Sequence, residues 1–159
     1  TSKNTLYQYA ENLNDAFFVF FLRKHDLAYK KSEQSLPKVY FVDNGLLTLN
    51  SIDDKGRLLE NLVFTELTRR NKDIAYYQNT SGEEVDFVVK EGKKVKELIQ
   101  VCYDMANFMT FDRETKVLVK AAEEFKCDEL LLINMEEEKD QVINGKKIKF
   151  IPLWKWLLN

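Results

Sequence analysis

Residues 82–103 read GEEVDFVVKEGKKVKELIQVCY, and this stretch decides the fold. Successive side chains of a strand point to opposite faces, so Val85, Phe87 and Val89 share one face while Asp86 and Val88 share the other. The tight connection Glu91-Gly92-Lys93 returns the chain antiparallel over residues 95–103, with Ile99 and Val101 on one face and Gln100 and Cys102 on the other. A turn centred near Gly92 sets Asp86 opposite Leu98, with Gln100 in diagonal reach on the same face. A slip of one residue would break that meeting.

Upstream, residues 54–70 predict a long helix in which Leu58, Leu59, Leu62, Val63, Phe64 and Leu67 cover one face, followed by a strand over 74–78. Glu60 falls at the edge of that apolar arc and Glu66 nearer its middle. A carboxylate turned toward a core must find hydrogen bonds, a cation or a metal, and one of the two can be satisfied by an arginine. Downstream, the pattern predicts a helix over 111–125, a strand over 130–134, a hairpin whose Asn144-Gly145 favours a type I′ turn, and a terminal helix over 153–158. The order αβββαβ with extra strands gives an α/β fold, a mixed sheet flanked by helices.

Toward the start, Ser2 or Asn4 can cap a helix running to about Ala16, with Leu6, Ala10, Leu13 and Phe17 as a stripe facing a core. Strands over 18–22 and 38–42 come next, joined by a basic stretch, and the turn signal Asp43-Asn44-Gly45 ends the second. Helix, strand, basic loop, strand is the last part of a winged helix. Its earlier helices are missing and the first residue is not Met, so residues 1–50 are expected to be a partial winged-helix segment of an excised fragment, and residues 51–159 a second unit.

With 159 residues, 45% hydrophobic and 31% charged, the chain can bury a core of its own. Its longest apolar run, Ala16 to Leu22, is too short to cross a membrane, and the cytoplasm is the expected location. The aromatic residues Phe17, Phe18, Phe20, Phe21, Trp154 and Trp156 are expected in the core. Cys102 and Cys127 lack CxxC or CxxH companions and read as buried reduced thiols. His25, alone between Lys24 and Asp26, reads as a solvated turn residue. The net charge of −2 excludes bulk attraction to nucleic acid, so DNA contact would need a local patch. Arg23, Lys24, Lys30, Lys31 and Lys38 form the one cluster that qualifies.

Asp86 on one strand and Gln100 on the next, with Glu60 arriving from the helix behind, have the layout of a divalent-metal phosphodiesterase site. In such a site oxygen ligands hold Mg²⁺ or Mn²⁺, the metal activates water, and a lysine two positions after the second ligand stabilises developing charge.

Three stretches, Gly56-Arg57-Leu58-Leu59-Glu60-Asn61-Leu62-Val63-Phe64, Gly82-Glu83-Glu84-Val85-Asp86-Phe87-Val88 and Ile99-Gln100-Val101-Cys102-Tyr103, resemble a known family. Lys38-Val39-Tyr40-Phe41-Val42-Asp43-Asn44-Gly45 and Pro152-Leu153-Trp154-Lys155-Trp156-Leu157-Leu158 match it as well. The family is the C-terminal domain that follows an AAA-type ATPase core in many archaeal and bacterial proteins, within the PD-(D/E)XK nuclease-like superfamily. The resemblance implies a restriction-endonuclease-like core with Glu60, Asp86 and Gln100 at the metal-ligand positions, and an upstream ATPase domain as partner, through which the whole would oligomerise. It also implies a departure, because Cys102 stands at the lysine position and Gln100 replaces a carboxylate. Arg113 and Lys116 are the candidates for a migrated cation. No G-x-x-x-x-G-K-[ST] run occurs, so no ATP site is expected within these residues.

The residues admit three readings. In the first, a DNA-directed module binds or cuts a duplex or branched end with Mg²⁺ or Mn²⁺. In the second, the nuclease fold has become a catalytically inactive regulatory or protein-interaction domain of the ATPase. The third is an α/β scaffold without a site, which would gain if Asp86 and Gln100 pointed to opposite faces.

Overall fold

The computed structural model describes residues 2–25, 35–49 and 54–159. Ser2 caps helix α1 (Lys3–Asp15), accepting a hydrogen bond from the Thr5 N–H. Strands β1 (Val19–Leu22) and β2 (Lys38–Phe41) pair antiparallel as a separate two-stranded sheet. The predicted turn at Asp43-Asn44-Gly45 is instead the start of a short helix, α2 (Asn44–Thr48). Asp43 caps it by accepting the Gly45 N–H at 2.6 Å. A Cβ at Gly45 would lie 2.7 Å from that same oxygen, which is why the position takes glycine.

Helix α3 (Lys55–Arg69) is capped by Asp54 and leads into β3 (Asp73–Gln78), β4 (Glu84–Glu91) and β5 (Lys94–Val101). Helix α4 (Phe108–Phe125) crosses over to β6 (Leu130–Asn134), and β7 (Lys139–Ile143), β8 (Lys146–Pro152) and α5 (Leu153–Leu158) close the chain. Asn144 and Gly145 both take positive φ, 49° and 80°, as the predicted type I′ turn demands. The six strands form one mixed sheet in the order β3-β4-β5-β6-β8-β7, parallel at β5–β6 and β6–β8.

Alternation sends the two faces of this sheet into two cores. Val85, Val88, Leu98, Leu132, Ile148 and Phe150 pack with Val117, Leu118, Ala121 and Ala122 of α4; Val85, expected on the face of Phe87 and Val89, joins Val88 instead because the pairing of β4 is irregular between them. Phe87, Val89, Ile99, Leu131 and Ile133 pack with Val63, Phe64 and Leu67 of α3 and with Trp156 of α5. Strands buried on both faces read as near-continuous apolar runs, which is the pattern of residues 85–89 and 130–133. Glu66, the more inward of the two helix acids, is satisfied by arginine: it pairs with Arg69 and Arg70 at 2.6 Å. The hydrogen bonds and charge of Arg69, with those of Arg70, outweigh burial and hold its carboxyl down at about 2.

The stripe on α1 departs from expectation. Leu6, Leu13 and Phe17 are exposed rather than facing a core, and so are Phe18 and Trp154; Phe20 and Phe21 are half-buried, and Trp156 alone of the six aromatics is buried. Helical spacing shows that one face is apolar, not what lies against it. His25 is also not a free turn residue: its ring meets Phe125 edge-on at 5.0 Å and its backbone N–H donates to the Tyr76 carbonyl at 2.6 Å.

The small sheet is fastened to the core by one buried side chain of α3. Asn61 accepts the Phe41 N–H at 2.8 Å and donates to the Phe41 carbonyl at 3.0 Å and to Asn44 Oδ1 at 2.9 Å, while Asn44 donates to the Leu58 carbonyl. Asn61→Ala strands a buried N–H and a carbonyl, so a loss of about 1–3 kcal/mol is expected. Urea unfolding would register it as a lower midpoint at unchanged slope.

Candidate functional site

The β4–β5 hairpin turns at Gly92-Lys93, with Glu91 opposite Lys94. Continued without interruption, that register would set Asp86 across from Ile99 and leave Gln100 on the other face. A bulge beside Val89 and Lys90 adds Lys96 to β5, and beyond it Phe87 pairs with Ile99. Asp86 therefore lies across from Gln100 itself, not from Leu98 as the sequence predicted. The expected sharing of a face does not follow: Asp86 turns its carboxylate to Lys38 on the α3 side and Gln100 its amide to Glu114 on the α4 side, and the two meet through the Asp86 N–H.

A second irregularity, between Ala75–Val88 and Tyr77–Val85, lies on the β3 side of the same stretch of β4. Bulges re-aim side chains, and Asp86 reaches to both sides of the sheet end. Asp86 Oδ2 accepts the Val101 N–H at 3.0 Å, and Asp86 Oδ1 accepts from Lys38 Nζ at 3.2 Å. On the α4 side, the Asp86 N–H donates to Gln100 Oε1 at 3.2 Å. The Gln100 amide donates in turn to Glu114, which also takes Arg113 at 2.5 Å. Gln100 thus has its oxygen committed to a backbone N–H and its nitrogen to a carboxylate.

Lys38 is the centre of the site. From β2 its Nζ reaches Glu60 Oε1 at 3.1 Å, Glu84 Oε2 at 3.2 Å and Asp86 Oδ1 at 3.2 Å, three carboxylates from α3 and β4. Tyr40, two positions along β2, donates its hydroxyl to the same Glu60 oxygen at 2.6 Å and stacks on Phe64 with ring centroids 4.1 Å apart. Burial works against the Lys38 charge, yet Asp86, Glu60 and Glu84 outweigh it and hold the ammonium above the usual lysine range. Burial, then the neighbouring Glu60, pushes the Asp86 carboxyl up to about 7 against the opposing pull of Lys38 and the Val101 N–H. Burial and Glu60 likewise raise the Tyr40 phenol, which stays a hydrogen-bond donor.

Lys38, Glu60, Glu84 and Asp86 line an open cleft of about 540 Å³ that also takes in Arg57, Gln100, Arg113 and Glu114. The expected trio of Glu60, Asp86 and Gln100 is therefore brought together. Of the expected replacement cations, Arg113 lines the cleft but is bound to Glu114, and Lys116 pairs with Asp112 at 2.6 Å on the surface. The cation among the carboxylates is Lys38, which by sequence belongs with the basic residues expected to face DNA. Of that group, Arg23 and Lys24 lie beside β1, and Lys30 and Lys31 fall outside the described residues.

Sequence reasoning misses Glu84, Tyr40 and Glu114. Two of them carry a signal: Lys38 and Tyr40 alternate on one face of β2, and Glu84 and Asp86 are two apart on β4. Glu114 carries none, since its partner is fixed only by how α4 lies on the sheet.

Whether Mg²⁺ or Mn²⁺ fits is a question of spacing. Oxygen ligands approach Mg²⁺ at roughly 2.0–2.1 Å, whereas these carboxylates stand 3.1–3.2 Å from one nitrogen, the spacing of an ammonium. Among the described residues, no group of three His, Cys, Asp or Glu side chains is arranged to hold a metal ion. As arranged, the residues fit Lys38 and not a divalent cation.

Cys102, which the resemblance sets at a lysine position, is buried beside Glu114 with its Sγ 3.5 Å from the Asp104 carbonyl. Burial, then Glu114 and Asp104, pushes its thiol up to about 11, so it stays neutral at physiological pH. Cys127 is free and buried too, and burial raises its thiol. Both should resist a thiol reagent such as DTNB at pH 8 in the folded chain and react in denaturant. Rapid reaction of Cys102 in the native state would contradict its placement.

No helix among the described residues is long and apolar enough to cross a membrane. Comparison with known proteins gives a family and two longer relatives. A family model described as a domain of unknown function, DUF4143, matches residues 55–156. An uncharacterized protein of Methanocaldococcus jannaschii is 35% identical over 167 residues, covering 99% of this chain and 37% of that protein. An uncharacterized protein of Haemophilus influenzae is 27% identical over 158 residues, covering 97% of this chain and 37% of its own length. The chain thus spans little more than a third of the curated relatives it matches. Among solved structures, a chain of the assembly of Thermococcus gammatolerans McrB AAA+ hexamers with bound McrC is similar over 63% of this chain and 28% of its own, at 13% identity and a TM-score of 0.45. A likeness that loose fixes neither fold nor function.

Proposed function

This chain belongs to the DUF4143 family, and from that premise we propose that it is the C-terminal module of an AAA-type ATPase, with a nuclease-like core that serves as an interaction or regulatory domain and does not cut nucleic acid. The observation that carries this reading is the state of the two positions where hydrolysis would need a second ligand and a cation. Gln100 spends its amide on Glu114 and its oxygen on the Asp86 N–H, and Cys102 is a neutral buried thiol. Neither offers the charge that stabilises a phosphodiester transition state. The length of the relatives supports the rest, since nearly two thirds of each lies outside the match and has room for an ATPase core. In this reading residues 1–50 are the end of a winged helix whose earlier part belongs to the parent protein, and the partner is the ATPase domain.

A second reading, nucleic-acid binding without cleavage, is favoured by the cleft itself, which is open and carries Arg57 and Arg113 with exposed guanidinium groups. The deciding experiment incubates the chain with duplex and branched DNA in Mg²⁺ or Mn²⁺, and measures DNA affinity against salt. No cleavage is expected, and cutting that disappears in Asp86→Ala would sink the non-cutting reading. Salt-dependent binding weakened by Arg57→Ala and Arg113→Ala would favour the second.

A further inference from the structure

We infer that the Lys38 ammonium holds the seat a divalent cation would take among Glu60, Glu84 and Asp86, so that docking of β2 and metal binding at this cleft exclude one another. The inference deepens the proposed function and rests on it, since it says why a core with these acids works without a metal.

Three observations carry it. First, the acids come from α3 and β4, separate elements, yet all three point an oxygen at one nitrogen. Second, that nitrogen arrives from outside the six-stranded sheet, on a two-stranded sheet that Asn61, Asn44 and the Tyr40–Phe64 stack fasten to α3. The cation is thus delivered by an element other than the two that carry the acids. Third, other acceptors of the cluster are already in use. Glu60 Oε1 takes Tyr40 as well as Lys38, Asp86 Oδ2 takes the Val101 N–H, and among the described residues no buried side-chain nitrogen or oxygen lacks a partner. The ammonium thus occupies the point on which the three acids converge. A metal would have to expel Lys38 and draw each carboxylate inward by about an ångström.

The test is Mn²⁺ binding, by calorimetry and by the metal's effect on thermal unfolding, in the unaltered 159-residue chain and in Lys38→Met. Methionine keeps most of the side-chain volume and removes the charge. Lys38→Met is expected to bind Mn²⁺ about ten- to a hundredfold more tightly than the unaltered chain, the range of an ordinary coupling between two sites. It should also gain unfolding temperature with Mn²⁺ where the unaltered chain does not. Adding Asp86→Asn should abolish the gain. If Lys38→Met does not fold, Lys38→Met with Glu84→Gln carries the same test, because it removes the most exposed of the three acids and leaves Glu60 and Asp86 facing each other. Equal Mn²⁺ affinity in the unaltered chain and the variant would overturn the inference, as would a folded variant that binds none. Neither result requires DNA. Cleavage by the unaltered chain would sink the proposed function instead, whereas an intact substrate with no metal gain in the variant would remove only this inference.

Discussion

Lys38→Met is expected to cost the folded chain about 2–4 kcal/mol at neutral pH, toward the lower end of the penalty for removing one partner of a buried ionic group. The discount reflects exposure, since the Lys38 side chain is 23% accessible and Glu84 35%. The loss is less the attraction itself than the compensation of three carboxylates held against one another. It should depend on pH with a definite sign. A carboxyl whose pKa is raised by folding, as Asp86 is from 3.8 toward 7, destabilises the native state progressively as pH climbs through that window and not below it. Removing the ammonium takes away the favourable charge that limits this rise. Between those values Asp86 is protonated in both folded chains and ionised in both unfolded ones, so the gap between Lys38→Met and the unaltered chain should hold steady up to about pH 7 and widen above it, where Asp86 ionises in the folded unaltered chain and not in the folded variant. Urea unfolding from about pH 6 to 9 measures it, and a gap constant across that range would show that packing rather than charge dominates.

Deleting Lys96 is expected to cost more, about 4 kcal/mol or beyond, which places it among the few changes with a named large mechanism. Lys96 is exposed, and its replacement by alanine should stay within about 0.5 kcal/mol. Its backbone, however, is the extra residue that lets the hairpin leave the turn in one register and reach Asp86 in another. Without it, residues 97–101 must either turn over or break their pairing with β4. Turning over would drive the buried Gln100 into the apolar layer of α3 and place Ile99 against Glu114. Comparing the deletion with Lys96→Ala by chemical unfolding separates backbone from side chain. A deletion no worse than the alanine variant would mean that the hairpin absorbs the change in its turn and that the bulge does not set the register.

The exposed apolar residues of α1 bear on how the N-terminal segment sits. Leu6, Leu13 and Phe17 leave α1 with a stripe that the described residues do not cover, while β1 and β2 place Leu22 and Tyr40 in the α3 core. The small sheet is thus integral to the fold on one side. The same side carries Lys38 into the cleft.

The periodic elements were legible in the sequence. Residues 54–70, the 82–103 hairpin, strand 130–134 and helix 153–158 fall where alternation, helical spacing and turn chemistry place them, because each of those signals is local to a few residues. The meeting of Glu60, Asp86 and Gln100 was legible only in part: the even shift keeps Asp86 across from Gln100, but with the irregularity in β4 the Asp86 carboxylate turns to Lys38 while Gln100 turns to Glu114. The bulge at Lys96 was not legible, as an extra residue in a strand leaves no mark in composition. Nor was the role of Lys38, which in sequence lies in a basic stretch far from Glu60, Glu84 and Asp86. A charge run in a chain records only that cations are present; which anions they meet depends on how β2 packs on α3, a contact made through Asn61 and the Tyr40–Phe64 stack. The sequence by itself determined most of the elements and, where no bulge intervenes, the face each strand residue occupies. Tertiary packing alone decided that a lysine from β2 sits among the acids, because electrostatic partners are chosen by distance in space, and distance across elements is written in no single stretch of chain.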